Sequence, residues 1–157
     1  MAGAGIEVKL DSEYQKIIDA LKKASSPALF EVAHAGGQAL QKIAITAFAN
    51  EADPVSGKKW AALKHPRGKR AKEPGSTSPI LKDRGTLKRS IIFNAFSDGS
   101  AVVGSNLVYA RIHQEGGDAG RGRKARIQAR PFLGVPEGFE REFFSDPAIQ
   151  AALGIGE

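Results

Sequence analysis

From Val55 to Thr86 the chain loses every hydrophobic period, while Gly57, Pro66, Gly68, Pro74, Gly75, Pro79 and Gly85 punctuate it. A connection of this length inside a compact domain is uncommon and is either a working element or a flexible arm. It divides the sequence into an N-terminal half with a helical period and a C-terminal half with short apolar runs. That order of elements predicts an α+β fold rather than alternating βα units. The segment also holds the charge. Lys58 to Arg89 carries eleven Lys and Arg against Glu73 and Asp83, a net of +9 in a chain of net +6, so the remainder is slightly acidic. A smaller cluster, Arg121, Arg123, Lys124, Arg126 and Arg130, sits in a Gly-containing stretch further on. Both clusters either face a polyanion, whose phosphates Lys and Arg neutralise, or are solvated loops.

Upstream of the segment, Asp11 or Ser12 can cap a helix, and Tyr14, Ile17, Ile18 and Leu21 share one face of a 3.6-residue period. This predicts a first helix over 11–24. Ser25, Ser26 and Pro27 mark a stop and a restart. Leu29, Val32, Ala33, Leu40, Ile43, Ala44, Ala47 and Phe48 then extend a second helix to about Asn50, with Gly36 and Gly37 marking a kink or a close contact. Downstream, Ser90–Phe96 and Ala101–Gly104 flank Ser97-Asp98-Gly99-Ser100, a β-hairpin pattern. Leu107 to Gln114 predicts a short helix that stops at Gly116-Gly117. Arg126 to Val135 predicts another strand, pushed to an edge by Pro131. Phe139, Phe143 and Phe144 predict a last short helix after Pro136. The expected architecture is one domain over 1–157: two N-terminal helices packed on a small antiparallel sheet, a basic arm over 52–89, and a short C-terminal helix.

With 157 residues and 41% hydrophobic composition the chain has enough material for one core. Zero cysteines exclude a disulfide scaffold, a thiolate metal site and a cysteine nucleophile. No apolar run approaches the roughly 18 residues a membrane span requires, and the N-terminus lacks a secretory pattern. Catalytic patterns are missing too. His34, His65 and His113 lie 31 and 48 residues apart without ligand spacing. No phosphate-binding glycine motif and no G-x-S-x-G string occurs, and the acids Glu137, Glu140 and Glu142 read as a solvated helix face. No catalytic, cofactor-binding or metal-binding residue, and no cofactor, is expected.

Several strings stand in a telling order: Gly57-Lys-Lys-Trp-Ala-Ala-Leu-Lys64, Ile80-Leu-Lys-Asp-Arg-Gly-Thr-Leu-Lys-Arg-Ser-Ile91, Val102-Val-Gly-Ser-Asn106, Val108-Tyr-Ala-Arg-Ile-His-Gln-Glu-Gly-Gly117 and Ile127-Gln-Ala-Arg-Pro-Phe-Leu-Gly134. Over about residues 40 to 145 the chain resembles the tailed-phage virion morphogenesis proteins, the tail-completion family of Mu-like phages. It departs from that pattern at Leu81-Lys-Asp-Arg-Gly85, where Leu-x-Asp-Thr-Gly is usual. The resemblance implies a non-enzymatic neck component in the virion, assembled in the host cytoplasm: a closed ring, six subunits by likeness to tail-terminating rings, touching the tail tube and the head-tail connector. Contact with DNA in the channel would be non-specific.

On that footing Trp60, Tyr109, His113, Arg130 and Phe132 are the expected intersubunit or partner contacts. Trp60 is the strongest of them, a lone aromatic in a polar loop. Ordinary structural roles compete: Ile112 as core, and Arg130-Pro131-Phe132 as an edge-strand turn in which Phe fills the core and Arg pairs with a carboxylate. Lys58, Lys59, Lys64, Arg67, Lys69, Arg70 and Lys72 are the expected contacts to a polyanion or a neighbouring ring. The alternative reading is a basic DNA-binding accessory protein that clamps duplex backbone through Lys58 to Arg89.

Overall fold

A computed structural model of the chain describes residues 12–63, 79–82 and 84–155. The fold is α+β. Helix α1 (Ser12–Lys23) is followed at once by α2 (Ser26–Asn50), with Ser25 at the N-cap and Pro27 in the first turn. There the fixed φ of proline costs nothing and its missing N–H is not needed. A short helix α3 (Thr86–Arg89) leads into the hairpin of β1 (Ile91–Ala95) and β2 (Ala101–Ser105). Helix α4 (Ala110–Glu115) leads to a second hairpin of β3 (Gly117–Ala119) and β4 (Ala125–Ile127), joined through a 3-10 turn at Arg121–Arg123. The described chain closes with α5 (Phe139–Phe144) and α6 (Pro147–Ala152).

Helix α2 is the spine, and the first hairpin lies across it. In the antiparallel register Ile91 faces Ser105, Phe93 faces Val103 and Ala95 faces Ala101, while Ile92 faces Gly104 and Asn94 faces Val102. Side chains alternate across a strand, so Ile91 and Phe93 turn toward α2, and Ile92 and Val102 turn away. Gly37 makes the approach possible: a Cβ there would sit 2.6 Å from Phe93 Cδ2. Gln41 then fixes the register by donating from Nε2 to Ile91 O at 2.7 Å.

The apolar groups gather into two clusters. Ala44, Ala47, Phe48, Trp60, Ile80, Leu87, Ile91, Ala110 and Phe132 form the main core. Val32, Ile149 and Leu153 form a second cluster, joined by Leu21 of α1 and by Phe143 and Phe144 of α5. The first helix thus contributes its apolar face next to the C-terminal helices.

One expected strand is corrected. Arg126 to Val135 is not a strand: only Ala125–Ile127 pairs, with β3, and residues 128–135 run without regular structure. Pro131 has no N–H to give a ladder, and the groups around it bond to α4 and to Trp60 instead. The strand Gly117–Ala119 and the helices Thr86–Arg89 and Pro147–Ala152 appear where no element was expected.

Candidate functional site

Helix α2 ends at Glu51, which adopts the left-handed conformation (φ 51°, ψ 45°) and turns the chain back on itself. Asp53 organises the return. Its carboxylate accepts from Val55 N at 2.9 Å and Ser56 Oγ at 2.6 Å, and Asp53 N donates to Lys58 O at 2.9 Å. Burial by itself would raise the Asp53 carboxyl, but these hydrogen bonds to its charged form outweigh that and hold it below the usual range. The bridge Ala52–Lys59 and the bond from Trp60 N to Glu51 O, 2.8 Å, complete the turn. Trp60 is thereby delivered to the end of the helix.

Its ring enters the core, with 6% of the residue exposed. It meets Phe48 edge-on, centroids 5.7 Å apart at 83°, and Phe48 in turn lies against Phe132 at 5.1 Å. Phe48 and Phe132 are fully buried. The indole Nε1 donates to Pro131 O at 2.8 Å. Trp60 is therefore not the exposed loop anchor expected from its polar neighbours, and Phe132 is likewise interior. Both are occupied in holding residues 130–133 against α2.

Gln114 holds the same stretch from the other side. Its Oε1 accepts from Phe132 N at 2.9 Å and Leu133 N at 3.0 Å, and its Nε2 donates to Leu133 O at 2.8 Å. Arg130 N donates to His113 O at 2.7 Å. Gly116, which ends α4 at φ 75°, lets the stretch pass close: a Cβ there would lie 2.8 Å from Ala129 N. Arg130 is itself buried, and its Nε and Nη2 donate to Ala61 O at 3.3 and 3.1 Å. A backbone carbonyl therefore stands where a carboxylate partner was expected. Burial lowers the guanidinium pKa from its ordinary value, though an arginine stays charged at neutral pH.

The other expected contacts are distributed differently. Tyr109 is 43% exposed and meets the half-buried His113 edge-on at 6.0 Å. Lys58 and Lys59 are exposed, and Lys59 Nζ reaches Asn50 O. Lys64, Arg67, Lys69, Arg70 and Lys72 lie outside the described residues. The far end of that stretch returns to Glu51: Ile80 N donates to Glu51 Oε1 at 3.1 Å, and Lys82 Nζ lies 3.2 Å from the same oxygen. Among the described residues no group of His, Asp and Glu could hold a metal, and no helix is long and apolar enough to cross a membrane.

What the surface does offer is apolar. Ile92 and Val102, 50% and 59% exposed, share the outward face of the first hairpin, and Val108, just before α4, is 98% exposed. The register of the hairpin could have identified the first two: once α2 takes one face, the alternate residues are left outside.

The family of phage virion morphogenesis proteins matches residues 11–147, most of the chain and every segment described above except the last turns. The chain belongs to the phage virion morphogenesis family. Its relatives agree. It is 38% identical over 103 residues to the putative capsid assembly protein G of Escherichia phage Mu, covering 62% of this chain and 64% of that one. It is 46% identical over 66 residues to the Mu-like prophage FluMu G protein 2 of Haemophilus influenzae, covering 42% of this chain and 47% of the relative. The chain thus spans roughly half to just under two thirds of these curated relatives. No solved structure matches it. As a member of the phage virion morphogenesis family, the protein has its role in building the phage particle.

Proposed function

We propose that this protein completes the phage tail and joins it to the head, acting without catalysis as a closed homo-oligomeric ring at the neck of the virion. Its partners in this reading are further copies of itself, six in the ring, together with the tail tube and the head-tail connector. The observation that carries the reading is the outward apolar face of the first hairpin. Ile92 and Val102 stand exposed on a strand pair whose other face is filled by α2. Burying such a face supplies the apolar centre that a stable interface requires. A heterologous contact of this kind closes into a ring when its rotation permits.

The test replaces Ile92 and Val102 together by Asp. Exposed substitutions seldom shift stability by more than ~0.5 kcal/mol, so the monomer is expected to melt as before. Light scattering is expected to show loss of the oligomer, and a phage lacking this gene is expected to yield tailless or headless particles when supplied with the variant. Full complementation by the folded double variant, or particle images placing the protein away from the neck, would overturn the reading.

A further inference from the structure

The second hairpin, β3–β4, is built unlike the first. From residue 118 to 126 it reads Asp-Ala-Gly-Arg-Gly-Arg-Lys-Ala-Arg, with no apolar side chain larger than alanine. Asp118 and Arg126 face each other across the ladder and form an ion pair at 3.1 Å. Their charges cancel. Arg121, Arg123 and Lys124 remain at the tip, all exposed, and none forms an ion pair with a described carboxylate. Arg123 sits at φ 54°, a backbone conformation disfavoured for any residue with a Cβ. The tip therefore carries three uncompensated positive charges within four residues.

We propose that this tip is a contact site for the phosphodiester backbone of duplex DNA, separate from the basic segment that follows α2. Two features select that ligand over an acidic protein. A protein interface draws its affinity from buried aromatic or aliphatic anchors, and the tip has none. A polyanion asks only for closely spaced cations, and the tip offers little else. The dimensions agree: the three residue steps from Arg121 to Lys124 span about 10 Å of chain at most, a length over which a duplex presents about six phosphates. The proposed contacts go to phosphate oxygens, which carry no sequence information, so the contact is blind to sequence. The inference rests on the proposed place at the head-tail junction only for the source of the DNA; the binding itself does not require a ring.

The experiment measures binding of a short random-sequence duplex by the full chain over a salt series, for wild type, for Arg121→Gln/Arg123→Gln/Lys124→Gln, and for a charge-preserving variant with Lys at both arginines. The neutral triple variant is expected to lower the slope of log affinity against log salt by about 2.7, three phosphates at about 0.9 each. The charge-preserving variant is expected to keep the wild-type slope, and circular dichroism to show both folded. Should the triple variant not fold, Arg121→Gln and Lys124→Gln alone are expected to lower the slope by about 0.9 each. An unchanged slope in the folded variants, or no wild-type binding at low salt, overturns the proposal. So does a triple variant that binds DNA normally but fails to enter particles, because an acidic protein would then be the partner. A normal slope change in a protein that never enters virions would instead sink the neck assignment and leave the DNA contact standing.

Discussion

The indole N–H of Trp60 donates to the carbonyl of Pro131 at 2.8 Å, joining two segments 71 residues apart. The contact makes the tryptophan a keystone of the fold. Pro131 lacks an N–H but keeps its carbonyl, and the turn begun by Glu51 brings a donor to it. Phe48 and Phe132 then close over the junction.

Trp60→Ala is accordingly expected to destabilise the protein by about 3–5 kcal/mol, the cost of emptying a buried aromatic site. Trp60→Phe retains much of the ring but strands the carbonyl, for a loss of about 1–3 kcal/mol. Urea unfolding of the two variants checks both values. A Trp60→Ala protein as stable as wild type would show that the ring is not core.

At Gly37 the expected effect is overpacking. Gly37→Ala places a methyl group within 2.6 Å of Phe93, and the resulting shift is expected to cost about 1–3 kcal/mol despite alanine's better helix propensity. Shortening the ring in Phe93→Leu should relieve part of that cost. A double-mutant cycle measures the coupling, and additive effects would argue against the contact.

Two carboxylates set an acid limit. Hydrogen bonds from the hydroxyl and N–H of Ser100 lower the Asp98 carboxyl, and the Asp53 carboxyl is lowered by its own turn against the opposing effect of burial. A folded-state pKa below the unfolded value adds stability that is present above the ordinary carboxylate range, near 3.9. It is lost as pH falls through the lowered values. Both turns are therefore expected to weaken only in acid. NMR titration should place both carboxyls below the ordinary aspartate value of about 3.9, and Asp53→Asn should flatten the acid limb of stability.

Local signals explain the parts of the fold that were legible in the chain. Ser25-Ser26-Pro27 and the 3.6-residue period located α2, and Ser97-Asp98-Gly99-Ser100 between apolar runs located the hairpin. Asp146-Pro147 was an equally plain helix start, since Asp146 Oδ1 caps Ala148 N at 2.8 Å, yet no helix was expected there. Trp60 was illegible for another reason. Two lysines precede it, and its burial is decided by Phe48, Pro131 and Phe132, partners that no window of sequence brings together. The stretch from Gln128 to Val135 failed in the same way, because Gln114 and Trp60 supply the bonds a neighbouring strand would have supplied. Of the candidate surface, the exposed lysines followed from composition, whereas Ile92 and Val102 required the register.

Glu51 receives the chain on both sides of residues 61–79: Trp60 N bonds to its carbonyl, and Ile80 N and Lys82 reach its carboxylate. Two segments twenty residues apart in sequence are thus moored at the end of one helix, so a disturbance of Glu51 reaches the Trp60 junction and the Ile80–Lys82 segment together.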